Sequence, residues 1–76
     1  MIPDTRRQLL EALEAISEVD PEFRFGQLVA NLSYVALGPT HGAIWDAEDE
    51  ELLAAALKHR ENRRRSRAQA AGVDVQ

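Results

Sequence analysis

The sequence predicts an all-α protein: a compact three-helix domain over residues 1–65, followed by a disordered, flexible basic tail over residues 66–76. Apolar residues recur at three- and four-residue spacing in three segments, which is the pattern of amphipathic helices. The predicted helices are 5–19, 24–37 and 46–64. Proline and glycine separate them at Asp20-Pro21 and Gly38-Pro39, and no segment alternates apolar and polar residues as a strand would.

The first helix has an apolar stripe in which Leu9, Leu13 and Ile16 follow one another at i, i+4 and i+7. This spacing places the three side chains on one face of a helix. Asp20-Pro21 ends the helix, because the residue before a proline is displaced from the α conformation. We therefore expect the stripe to face the core and the glutamates of this segment to face water.

The second helix begins the only long uncharged segment, since no Asp, Glu, Lys or Arg occurs from Phe25 to Trp45. Its main apolar stripe consists of Phe25, Leu28, Leu32 and Val35. We expect the other helices to pack around this stripe. Gly26 lies within the helix, where glycine costs about 1 kcal/mol relative to alanine, so we expect another element to pack closely against it. Gly38 and Pro39 end the helix.

The third helix is predicted to begin at Asp46, because Asp46 and Asp49 have the three-residue spacing of a capping box. Acidic residues in its first turns and basic residues near its other end complement the helix dipole. Its apolar residues are Leu52, Leu53, Ala56 and Leu57. The preceding segment, Ala43-Ile44-Trp45, is apolar, so we expect it to fold back over the core as a lid.

The net charge of −4 is unevenly distributed along the chain. Residues 1–57 hold 3 basic and 11 acidic residues, a net charge of −8, whereas residues 58–76 hold 6 basic and 2 acidic residues, a net charge of +4. The absence of cysteine excludes disulfides and thiolate metal sites. The N-terminal residues lack the pattern of a signal peptide, and polar residues interrupt the uncharged segment. We therefore expect a cytoplasmic protein that does not cross a membrane.

Two motifs resemble those of a group of bacterial proteins. Arg24-Phe25-Gly26-Gln27-Leu28 followed by Asn31 fits the pattern R-[LF]-G-Q-L-x-x-N, and Glu48-Asp49-Glu50-Glu51-Leu52 fits E-D-x-E-L. Over about residues 20–57 the chain is thus similar to small uncharacterised bacterial helical proteins. The resemblance implies a small all-helical bacterial protein, and it supplies no activity.

A polar stripe runs beside the apolar stripe of the second helix. Its members, at three- or four-residue spacing, are Arg24, Gln27, Asn31 and Tyr34. Two interpretations stay open. The amides of Gln27 and Asn31 could face inward and bond free backbone groups, since buried amides need such partners. Alternatively, the stripe faces outward and, together with Trp45, forms a surface that binds a partner protein.

A basic run near the end of the third helix suggests contact with nucleic acid. The candidate residues are Arg60, Arg63, Arg64, Arg65 and Arg67. Such runs bind phosphate backbones, but a solvated helix end explains them as well. No aromatic residue follows Trp45, so the tail cannot stack on bases. The third helix begins with acidic residues, which excludes its insertion into a DNA groove. Weak, non-specific electrostatic contact stays open.

Neither a metal site nor a catalytic grouping is indicated. Asp46, Asp49 and Glu50 share a helix face near His41, but the chain has neither an HExxH motif nor an EF-hand loop. Helix capping explains these acids without a metal. No Ser–His grouping or glycine-rich phosphate loop occurs, and His41 is the only residue worth testing as a general base. We expect no cofactor, no metal and no enzyme activity.

These observations favour a small protein-interaction or regulatory module with an unidentified protein partner. A second copy of the chain is an alternative partner, because small domains often gain stability by self-association. The alternative function is that of a nucleic-acid-associated protein whose basic C-terminal segment acts as an electrostatic arm.

Overall fold

The computed structural model describes residues 1–75, with side chains for residues 1–66. These residues form four helices and no strand, which confirms the all-α prediction. The helices are α1 (Asp4–Val19), α2 (Phe25–Leu37), α3 (Ala43–Asp46) and α4 (Asp49–Val75). The helix α4 continues through Val75, so it ends beyond residue 64, where the third helix was predicted to end. The flexibility predicted for residues 66–76 stays a prediction, because the side chains from residue 67 onward lie outside the described residues. None of the described helices is long and apolar enough to cross a membrane.

Two ion pairs fix the direction of α1 relative to α4. Near the first turns of both helices, Arg6 Nε donates to Asp49 Oδ2 at 2.8 Å. At the other end, Arg63 Nη2 donates to Asp20 Oδ1 at 2.7 Å. Each pair joins residues that are 43 positions apart. The two helices therefore run parallel and in register. The helix α2, which lies between them in the sequence, runs in the opposite direction.

The same offset of 43 residues aligns the inward positions of α1 and α4. On α1 they are Leu9, Leu13, Ile16 and, just after the helix, Asp20; on α4 they are Leu52, Ala56, His59 and Arg63. Both sets follow the 4-3-4 spacing that is typical of helices packed in a coiled-coil register. Ala55 and Ala56 are buried, and such small residues allow neighbouring helix axes to approach closely.

The central helix is α4, not the second helix as the uncharged segment predicted. Its main interfaces are with α1 and with α2, while α3 packs on α2. The buried core consists of Leu9, Ala12, Leu13, Ile16, Leu28, Leu32, Ala55 and Ala56. The physical reason is that α4 packs against other helices on two adjacent sides, one facing α1 and the other facing α2. In α2 the buried residues lie on one side.

The predicted apolar stripe of α2 is only half buried. Leu28 and Leu32 are each 2% exposed, whereas Phe25 and Val35 are each 59% exposed. Phe25 is the first residue of α2, and Phe23 packs against the core just before it. Val35 lines an open groove between α2 and α4, which Glu51 and Lys58 of α4 also line. The assignment of Phe25 and Val35 to the core is therefore wrong.

The last long helix begins at Asp49 instead of Asp46. The backbone N–H of Glu48 donates to Glu51 Oε1 at 2.9 Å, which is one half of a capping box. Ala47 has an extended backbone, with φ −68° and ψ 125°, and separates Asp46 from this helix. The capping box predicted for Asp46 and Asp49 is thus displaced by two residues.

The predicted lid is a one-turn helix, α3, whose orientation differs from the expectation. Ala43 is buried, but Ile44 and Trp45 point into solvent. The preceding turn follows the prediction, since α2 ends at Gly38 with φ 96°, a value that favours glycine. Thus α3 is anchored by one small side chain and presents its large side chains outward.

Candidate protein-interaction surface

The polar stripe of α2 faces solvent. Arg24, Gln27, Asn31 and Tyr34 are all exposed, and they lie beside the side of the helix that carries the buried Leu28 and Leu32. Within the part of the chain that the structure describes, neither Gln27 nor Asn31 makes a side-chain hydrogen bond to another residue. The inward interpretation of these two amides is therefore wrong, and the outward interpretation describes their orientation.

Large apolar and aromatic side chains are exposed both on α2 and on α3. Trp45 is 87% exposed, and Tyr34 is exposed as well. Because α3 packs on α2, their outward side chains belong to one region of the molecule, which we call the α2–α3 surface. It consists of Arg24, Gln27, Asn31, Tyr34, Val35, Leu37, Ile44 and Trp45. Val35 was missed as a surface residue because its place in the apolar stripe of the sequence indicated the core.

Arg24 is the only charged residue among those named, and the exposed Asp46 of α3 adds one negative charge at the border of the α2–α3 surface. Cores of protein–protein interfaces are depleted of charged residues and enriched in Tyr, Trp and Arg. Trp, Tyr and Arg are also the residues that most often dominate binding energy. Composition and exposure thus agree on the same region, and the uncharged segment of the sequence was the signal that pointed to it.

Gly26 lies at the start of this surface without a packing reason for glycine. A Cβ atom built on it meets nothing within 4 Å, and its φ is not positive. The close approach of another element that was expected here is therefore wrong, since no such element is near in the described structure.

We expect Gly26→Ala to raise the free energy of unfolding by about 0.5–1 kcal/mol, because alanine reduces the freedom of the unfolded chain and has a higher helix propensity. Urea unfolding followed by circular dichroism measures the change. A lower stability of Gly26→Ala would show that the start of α2 requires a glycine at this position.

Asp20 forms a buried polar cluster between the end of α1 and α4. Its side chain is 4% exposed and accepts the 2.7 Å hydrogen bond from Arg63. His59 Nε2 lies 3.8 Å from Asp20 Oδ2, and the ring of Phe23 packs edge-on against His59 at 6.1 Å between centroids. The cluster joins three segments of the chain, and sequence reasoning missed it because Arg63 was grouped with the nucleic-acid candidates.

Carboxylates hold most of the described arginines in the basic run. Glu61 accepts hydrogen bonds from Arg64 Nη2 and Nε at 2.8 and 3.1 Å and lies 3.5 Å from Arg65 Nε. The hydrogen bond from Arg64 lowers the pKa of Glu61 and raises the pKa of Arg64. Of the candidate nucleic-acid contacts, Arg60 alone forms no ion pair within residues 1–66; the side chain of Arg67 lies outside the described residues.

The acidic start of α4 does not form a metal site in the described structure. Asp49 is engaged by Arg6, while His41, Asp46 and Glu50 are exposed. Within the residues described, no three His, Cys, Asp or Glu side chains are grouped so that they could hold a metal ion.

No family model, curated protein or solved structure matches this chain. The resemblance of its motifs to small bacterial helical proteins therefore stays an expectation, and the function is argued from the chain's own residues.

Proposed function

We propose that the protein is a cytoplasmic protein-interaction module and that the α2–α3 surface binds its partner. The observation that carries this proposal is the exposure of Trp45 beside an uncharged helix face. Trp45 is the only tryptophan of the chain, and it contributes little to the core because most of its surface is in water. Its large apolar side chain is therefore available for contact with a partner.

The surface has two chemical parts. Trp45, Ile44 and Val35 supply apolar area, whose removal from water favours binding by roughly 25 cal/mol per Å². Gln27 and Asn31 supply donors and acceptors that have no partner within the described chain, so they can bond groups of another protein. Both parts stand on helices, which limits the conformational entropy lost on binding. If the partner binds in only one of its states, the module has a regulatory role.

The electrostatic arm is supported less well than the interaction surface. Arg63 is bound to the buried Asp20, and Glu61 holds Arg64 and Arg65. These pairs leave less positive charge available to phosphates than the sequence indicates, because each contact must compete with a carboxylate already in place.

We expect Trp45→Ala to abolish capture of the partner from an extract of the native cell, because it removes the largest exposed apolar group. The full chain is immobilised and the proteins that it retains are compared with those retained by the variant. Leu10→Ala is the matched control, since Leu10 is an exposed apolar residue of α1 that is not part of the α2–α3 surface. The same retained proteins with wild type and Trp45→Ala would reject this surface.

Self-association is tested in a separate experiment on the purified chain. Trp45 fluorescence, quenched by iodide over a concentration series, reports whether a second copy covers the surface. Quenching that falls as the concentration rises would identify the partner as another copy of the chain. Trp45→Ala should then be monomeric in sedimentation.

A further inference from the structure

A second surface lies between α1 and α4, on a side to which α2 contributes no residue. Two adjoining depressions of about 490 and 330 Å³ share Leu57 and Arg60 as lining residues. Together they form one groove, the α1–α4 groove, which extends along α1 from Gln8 to Val19. At a rise of about 1.5 Å per residue this is roughly 16 Å, or three helical turns.

The floor of the α1–α4 groove is apolar. It is formed by Ala12, Ala15, Ile16, Leu53 and Leu57. The alanines are short and leave room for side chains that enter from outside. Leu57 and Val19 are about half exposed, and within residues 1–66 nothing covers them. A groove with this shape and floor accepts the apolar stripe of a helix.

The α4 wall of the groove carries excess positive charge. Arg60 has no carboxylate partner within residues 1–66, and Glu61 is shared by two arginines, of which Arg64 also lines the groove. The facing wall of α1 presents Ala15 and Val19 in the depression that Arg64 lines, whereas Glu11 lies in the adjoining depression, which Arg60 lines as well.

Over the whole groove three positive side chains face three negative ones, but the depression at the Val19 end has three arginines and only two carboxylates, Asp20 and Glu61. Asp20 is buried and its charge is offset by the 2.7 Å ion pair with Arg63. Electrostatic complementarity therefore favours an occupant with negative charge beside Arg60 and Arg64.

We propose that the α1–α4 groove binds an acidic amphipathic helix of a partner protein, with its apolar stripe on Leu57 and Val19 and its carboxylates on Arg60 and Arg64. A helix in this position would complete a four-helix arrangement around α4. This binding is separate from that of the α2–α3 surface, which is built from α2 and α3.

Binding is measured by fluorescence anisotropy with two labelled peptides and the full chain. Both peptides carry leucines at i, i+3, i+4 and i+7; one has glutamates and the other lysines at the flanking positions. We expect the glutamate peptide to bind at least about tenfold more tightly than the lysine peptide at about 0.15 M salt, where the effect of the net charge of −4 is largely screened. Arg60→Glu and Leu57→Asp should each weaken its binding by about tenfold or more.

The matched control is Lys58→Glu, which makes the same charge change on the same helix but faces the groove between α2 and α4. It should leave the affinity for the glutamate peptide within about twofold, although the net charge changes equally. Trp45→Ala should also leave it unchanged, so a failure of the α2–α3 surface is distinguishable from a failure of the groove. The helical circular dichroism of every variant shows that the chain is folded.

Four outcomes would overturn the proposal. Equal binding of the two peptides would remove the charge argument, and equal effects of Arg60→Glu and Lys58→Glu would show non-specific attraction. A dimer in sedimentation that Leu57→Asp dissociates would identify the occupant as a second copy. A single-stranded oligonucleotide that displaces the glutamate peptide, and that binds Leu57→Asp as tightly as the wild type, would identify the site as a nucleic-acid contact.

Discussion

Leu28→Ala and Leu32→Ala are each expected to lower the free energy of unfolding by about 2–5 kcal/mol, the range for leucines truncated in a packed core. Both side chains are 2% exposed and belong to the same core cluster. A domain of this size is stabilised by only about 3–5 kcal/mol, so a large fraction of either variant should be unfolded at room temperature. Urea titrations followed by circular dichroism measure the effect.

The matched control for these variants is Val35→Ala, on the same helix and in the same apolar stripe of the sequence. Because Val35 is largely exposed, its truncation should change the stability by no more than about 0.5 kcal/mol. Fluorescence of Trp45 is a poor probe here, since that side chain is in water in the folded state as well. If Val35→Ala costs as much as Leu28→Ala, the core has been assigned to the wrong side of α2.

Arg63→Ala is expected to lower the free energy of unfolding by about 1–3 kcal/mol, because it leaves the carboxylate of Asp20 buried without its partner. The effect is at the lower end for a buried pair, since the Arg63 side chain is 49% exposed and water screens part of its charge. Arg64→Ala is the control on the adjacent position. Because the side chain of its partner Glu61 is 42% exposed, we expect no measurable change in the free energy of unfolding.

A second substitution separates the charge of Asp20 from its packing. If the cost of Arg63→Ala arises from an unpaired buried charge, then Asp20→Asn in the same chain should recover part of the lost stability. Equal stabilities of Arg63→Ala and Arg64→Ala in urea titrations would mean that the Asp20 cluster does not hold α1 against α4.

Helical periodicity predicted the extents of α1 and α2 well but not the start of α4. Glu48 and Glu51 have the same spacing as Asp46 and Asp49, but aspartate is the preferred N-cap residue, so the local pattern favoured the earlier start. The choice between them depends on the extended conformation of Ala47, which allows α3 to fold onto α2. A local pattern cannot contain that information, because it arises from contacts between distant segments.

The packing of α1 on α4 left a readable signal in the sequence. Leu9, Leu13 and Ile16 repeat the spacing of Leu52, Ala56 and His59 at a constant offset. The repeat was not recognised because Ala56 and His59 are weaker core indicators than leucine. The orientation of Gln27 and Asn31 left no such signal, since an amide can equally bond buried backbone groups or a partner protein.

The position of α4 as the central helix has a consequence for folding during synthesis. The segments that hold α1 and α2 in place, Ala55-Ala56 and Arg63, are translated more than 40 residues after the start of α1. Until then, the leucines of α1 and α2 have no inner helix to cover them. A nascent chain of this protein therefore cannot acquire its core step by step from the N-terminus. It should collapse in one late event, once α4 has left the ribosome.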